Sequence, residues 1–196
     1  MTDGPRWPVT PPVLTGARVR MAPLLREHAA PLAALIESGA LYPHPHTSIP
    51  APADVPAYIE EALEEQRQGR ALPFVTCVGS EVVGTTRFCR VAWPHRRVEI
   101  GYTWLAPKYQ GRGINRAAKH LMLDYAFETL GMQRVEFITD LLNLQSQRAL
   151  ERIGARREGL LRRHMRMADG RVRDSVVYSI VDTDRRSKAP QRSAGE

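Results

Sequence analysis

The chain has 196 residues, 43% hydrophobic and 25% charged, with a formal net charge of +7. That composition makes one globular domain with a sizeable core the default. No apolar run approaches the roughly 20 residues that span a bilayer, and no basic-then-apolar leader opens the chain, so no membrane partner and a cytoplasmic location are expected.

Residues 1–15 carry Pro5, Pro8, Pro11 and Pro12 with little periodicity and read as a flexible arm. Ala17–Pro23 alternates as a first strand. Leu24–Ser38 follows as a helix with Leu32, Leu35 and Ile36 on its apolar side, and Pro31 implies a late start or a kink. Leu41–Pro52 is a proline-rich loop holding Tyr42, His44 and His46. The two histidines have no cysteine or carboxylate cluster beside them, so no metal is expected. Asp54 is placed to cap a helix running to about Gln68, with Val55, Tyr58, Ile59 and Leu63 on one face. Leu72–Val78 and Val82–Arg90 read as a hairpin turning at Gly79-Ser80. That turn leaves Cys77 and Cys89 far out of register, and no disulfide is expected.

Val98, Ile100, Tyr102 and Trp104 then alternate with Glu99, Gly101 and Thr103, the period of a strand. Pro107 ends it. From Asn115 to Leu130 apolar residues recur at three- and four-residue steps, a helix closed by Gly131. Arg134–Thr139 returns as a parallel strand, completing a βαβ unit. Ser146–Ile153 reads as a short helix, Leu160–Met167 and Asp174–Val181 as a closing hairpin, and 183–196 as a polar, flexible tail.

Between the central strand and helix lies Gln110-Gly111-Arg112-Gly113-Ile114-Asn115. Glycine lets backbone approach a ligand, and the free N–H groups of a helix start favour an anion, so the loop can cradle phosphate. It reads equally well as a tight turn, and it matches neither the Walker nor the dinucleotide fingerprint. Residues 156–173 hold seven arginines against Glu158 and Asp169. A solvated hairpin accounts for them more simply than a surface for acidic partners, and no aromatic residues interleave as in a nucleic-acid site.

The segment 98–130 resembles motif A of the GNAT superfamily of acyl-CoA-dependent N-acyltransferases: Q/R-x-x-G-x-G/A here reads Gln110-x-x-Gly113-x-Asn115. Asn115 departs from the small residue usual at the last position. Asn143-Leu-Gln-Ser146, Ile153-Gly154-Ala155, Glu158-Gly159 and Asp169-Gly170-Arg171 resemble the pattern of the RimJ/RimL-like branch. The likeness covers about residues 16–182, the expected acyltransferase domain. It implies an α/β fold, a mixed sheet of about six to seven strands flanked by about four helices, with a V-shaped splay between two parallel strands.

The resemblance also implies chemistry. Acetyl-CoA would be the acyl donor, with no metal, and the acceptor a primary amine, either a protein N-terminus or a small molecule. Pyrophosphate would rest on Gln110, Gly111, Arg112, Gly113, Ile114 and Asn115, and the pantetheine arm on the backbone near Leu105 and on Asn143. Ser146 matches the serine that protonates the leaving thiolate, although a serine there is equally a helix cap. The branch's usual glutamate is replaced by Met165, so the base falls to Glu99 or His164. Glu99 is equally a solvated strand residue paired with Arg96 or Arg97. Tyr42, His44 and His46 are candidate acceptor contacts. A homodimer formed on the acceptor side is compatible with the branch. A CoA-binding module without catalysis, and an RNA- or ribosome-associated protein, are the alternatives.

Overall fold

The computed structural model describes residues 11–42, 44–167 and 169–186. Its strands are β1 (Leu14–Thr15), β2 (Arg20–Pro23), β3 (Leu72–Val78), β4 (Glu81–Ala92), β5 (Arg97–Leu105), β6 (Arg134–Asp140), β7 (Arg156–Arg166) and β8 (Val172–Val181). The helices are α1 (Ala29–Ser38), α2 (Val55–Arg67), α3 (Ile114–Asp124), α4 (Leu144–Arg152) and α5 (Asp182–Arg186), and α3 runs on into a π-helical turn over Tyr125–Thr129. Among the described residues the strands form one sheet, in the order β1-β2-β3-β4-β5-β6-β8-β7.

This is the expected mixed α/β sheet with one strand and one helix more than predicted. The extra strand, β1, falls inside the stretch read as a flexible arm and pairs with β2. Short α5 occupies the first residues of the expected tail. Residues 1–10 and 187–196, which hold the rest of the arm and tail, lie outside the described residues. Asp54 sits in a 3-10 turn ahead of α2 and makes no side-chain cap, so the expected capping role is not seen.

Neighbouring strands run antiparallel except β5 and β6. Those two pair only over Arg97–Glu99 and Arg134–Glu136. Beyond Glu99 they part, although β5 continues to Leu105 and β6 to Asp140. This is the splay.

Each face of the sheet carries its own core. Ile114, Ala118, Met122 and Leu123 of α3 and Leu150 of α4 pack with Phe74, Phe88, Val98 and Phe137 on one face. Leu32 and Ile36 of α1 and Val55, Ile59 and Ala62 of α2 pack with Val75, Cys77 and Trp104 on the other. Strand alternation between Phe74 and Val75 feeds both cores.

Three of the sheet's bulges bear on the site. On β5, Thr85 faces Trp104 while Arg87 faces Gly101, so Tyr102 and Thr103 share one partner position. On β4, Arg90 and Val91 do the same between Cys89 and Ala92. On β7, the residues between Leu161 and Met165 span only Asp174 of β8. Each bulge holds a non-glycine residue at positive φ: Tyr102 at 52°, Arg90 at 49° and Arg163 at 51°. Such backbone costs on the order of 1–3 kcal/mol per residue and collects where a side chain must be re-aimed. Tyr102, Arg90 and Met165, from these three bulged stretches, all line the cleft that the splay opens.

Candidate active site

A cleft of about 800 Å³ opens where β5 and β6 part. Its walls are Ile100–Leu105 without Gly101 from β5 and Phe137, Ile138 and Thr139 from β6. At one end lies the loop before α3. Gly113 is the helix N-cap at φ 79° and Gly111 stands at φ 71°, conformations that strain any residue with a Cβ. A Cβ on Gly113 would also meet the Arg18 guanidinium at 3.2 Å. Arg18 donates to the Arg112 carbonyl at 2.8 Å and so braces the loop from β1–β2. The Gln110 amide donates to the Leu105 carbonyl at 2.9 Å and accepts from Gln145 of α4 at 3.0 Å. The loop, β5 and α4 are thereby tied around one opening.

Arg18, Arg112, Arg116 and Arg152 all line this end. With the first-turn N–H groups of α3 they make a pocket suited to phosphate. Of the predicted cradle, Gln110, Gly111, Arg112, Gly113 and Asn115 line the cleft. Ile114 instead anchors the helix in the core. Arg18, Arg116 and Arg152 are additions that come from distant stretches of sequence.

The start of α4 separates two roles that the sequence left merged. Asn143 is the N-cap, its Oδ1 accepting from the Ser146 N–H at 3.0 Å, and its Nδ2 donates to Thr47 at 3.3 Å. Ser146 therefore does not cap. Ser146 lines the cleft, and its hydroxyl has no hydrogen-bond partner among the described residues.

Glu99 lines the cleft from β5 at 5% exposure. It pairs with Arg90, at 2.7 Å, and not with Arg96 or Arg97. The β4 bulge is what turns Arg90 back toward it. Burial raises the Glu99 carboxyl above its usual range, opposed by Arg90. Burial also pushes the neighbouring Cys89 thiol up to about 12, which leaves it inert. His164 does not line the cleft, although the charges of Arg90 and Arg173 reach it. The β7 bulge points Met165 inward and sets His164 in a shallow surface groove with Leu160–Arg163, its Nδ1 3.0 Å from Ser175 Oγ.

The loop 44–49 closes the far end. Arg171 donates to the Pro45 carbonyl at 2.8 Å and to the fully buried Asp140 carboxylate at 2.6 Å. His44 and His46 line the cleft, whereas Tyr42 does not and is 50% exposed. Burial lowers the His44 pKa, with His46 adding to the effect.

Two further residues were not anticipated. Arg173, in the hairpin read as solvated, is buried and lines the cleft. Lys119, one turn into α3, is also buried at its floor. Its ammonium donates to Thr103 at 2.6 Å and Thr86 at 3.0 Å, with no carboxylate in contact, and burial lowers its pKa to about 7. The β5 bulge makes this possible by turning Thr103 toward α3.

A splayed parallel pair, a glycine loop at a helix start and a buried carboxylate where the strands part are the arrangement of an acyl-CoA-dependent transferase, and the family match bears this out. The chain matches the Acetyltransferase (GNAT) domain model over residues 18–156 and belongs to that family. It is 36% identical over 120 residues to the uncharacterized N-acetyltransferase YoaA of Bacillus subtilis, covering 61% of this chain and 67% of that one. It is 26% identical over 121 residues to the spermidine N(1)-acetyltransferase of Escherichia coli K12, covering 62% of each. Mycobacterium smegmatis RimJ, solved with CoA-disulfide, superposes with TM-score 0.75 at 29% identity, covering 88% of this chain and 85% of that one. RimJ among its neighbours accords with the RimJ/RimL-like branch.

Proposed function

We propose that the protein transfers the acetyl group of acetyl-CoA to a primary amine by direct attack within a ternary complex. The observation that carries this is the cleft itself, with the cationic glycine loop at one end and buried Glu99 on its wall. The donor fits there. Its phosphates match the arginine-lined loop, and its amide-bearing arm matches the β5 edge left unpaired beyond Glu99.

In the step, the amine nitrogen attacks the thioester carbonyl carbon, the C–S bond breaks, and an amide forms. The proton lost by the amine passes to Glu99, whose raised pKa suits a base. The departing thiolate takes the Ser146 hydroxyl proton, which solvent restores. His164, outside the cleft, has no part in this scheme.

Thermal unfolding with and without acetyl-CoA is the test. A ligand at a hundred times its Kd adds about 2.7 kcal/mol to the folded state, a shift of several degrees. Gly113→Val should abolish that shift. Ser146→Ala should keep it while lowering thiol release on an accepted amine at least roughly tenfold. No shift with acetyl-CoA or longer acyl-CoAs would sink the donor assignment. Loss of the shift in Ser146→Ala would make that residue structural.

A further inference from the structure

Three arginines and two carboxylates meet at the end of the cleft away from the glycine loop. Asp140 is taken by Arg171 at 2.6 Å, and Glu99 by Arg90 at 2.7 Å. Arg173 is left over. Only 7% exposed, it faces electrostatic attraction from Asp140 and Glu99 and repulsion from Arg171 and Arg90. It forms no hydrogen bond or ion pair with any described residue, and its Nε is buried without a partner. A buried cation without its own counter-charge costs several kcal/mol, and stability alone gives no reason to keep it.

A second unused donor belongs to a residue that lines the same cleft. The Trp104 indole N–H is buried without a partner. Of the charged side chains lining the cleft, Glu99 is the sole carboxylate, facing six arginines and Lys119. The glycine-loop arginines are positioned for the donor's phosphates, whereas Arg173 sits with Glu99 and Asp140. The missing negative charge therefore belongs to the other substrate.

We infer that the acceptor is a small amine that also bears a carboxylate, an amino-acid-type molecule whose carboxylate pairs with Arg173 while its amine faces Glu99. One leftover cation calls for one negative charge, which a carboxylate supplies and a phosphate monoester exceeds. A polyamine, all cation, would meet like charge at this wall. This inference rests on the transferase reading above.

The experiment compares kcat/KM by thiol release across matched sets: an amino acid, its amide and its decarboxylated amine, for example phenylalanine, phenylalaninamide and phenethylamine, or histidine and histamine. O-phosphoethanolamine and spermidine complete the panel. The carboxylate member of an accepted set should lead by at least roughly tenfold, the loss expected when a charged hydrogen bond goes unmade. Arg173→Met should erase that lead, keep the acetyl-CoA thermal shift and leave the unliganded melting temperature equal or higher. Arg173→Lys should retain part of the lead.

Amides, plain amines, spermidine or O-phosphoethanolamine accepted as well as the carboxylates would overturn the inference. So would an acetyl-CoA-responsive protein that accepts no carboxylate-bearing amine. A lower melting temperature in Arg173→Met with its preference intact would make Arg173 a structural counter-ion. If Arg173→Met does not fold, the matched sets on the native protein decide alone. Absence of any acetyl-CoA response fails the donor assignment itself, a separate result.

Discussion

Lys119 shows what a single buried charge does to stability. Its pKa in the fold is about 7, below the unfolded value near 10.5. The unfolded chain therefore binds more protons between those two values, and stability rises with pH through that window. Below about pH 7 the ammonium is charged in both states and its burial cost is constant. Lys119→Met removes this titration, so urea denaturation should find the variant more stable than the native protein at pH 6. The gap should narrow steadily toward pH 10. A gap independent of pH would show that the ammonium is not desolvated.

The sequence signals around this residue were weak for a physical reason. Lys119 lies between Ala118 and His120 in an amphipathic helix, where a lysine is ordinarily solvated. Its hydroxyl partners come from two strands, Thr86 of β4 and the phase-reversed Thr103 of β5. Glu99, by contrast, could be placed by simple alternation from Val98 and Ile100, because it precedes the β5 bulge. Its partner could not, because Arg90 reaches it from a bulge of its own. Met165 lines the cleft and His164 does not, through the bulge of β7.

Among the elements, the strand, loop and α3 were legible because glycine, proline and a 3.6-residue period mark them locally. The bulges were not, since a positive φ at Arg90, Tyr102 or Arg163 has no compositional sign. Tyr102 is held by stacking, with the Arg87 guanidinium 3.9 Å from its ring. The exposed edge strand β7 carries Arg156, Arg157, Arg162, Arg163 and Arg166, and this charge with its bulge guards an open edge.

The loop 44–49 depends on a long-range clamp. Arg171→Met would leave the Asp140 carboxylate buried without its cation and release the Pro45 carbonyl. A loss of stability in urea unfolding is expected, because the buried Asp140 carboxylate loses its paired cation. The KM for the amine should rise several-fold while that for acetyl-CoA holds. A rise confined to acetyl-CoA would mean that the loop does not wall the acceptor end.

At the scale of the molecule, the sheet is two leaves joined by three residue pairs of β5 and β6. Cleft-facing amides of β5 beyond Glu99 have no strand to pair with. Hydrogen exchange should find them fast in the free protein and slowed when acetyl-CoA is bound, while Val98 and Val135 stay protected throughout. Equal protection with and without the donor would mean that nothing bridges the gap.

That joint also bears on how the chain comes together. Strands β1 to β5 lie side by side in the order of their synthesis, and β6 to β8 are likewise consecutive, with only β7 and β8 exchanged. The chain passes from one group to the other once, through α3. The first leaf can be complete before the residues of the second have left the ribosome, since none of its strand pairings awaits them. The cleft is then where two separately assembled halves meet last.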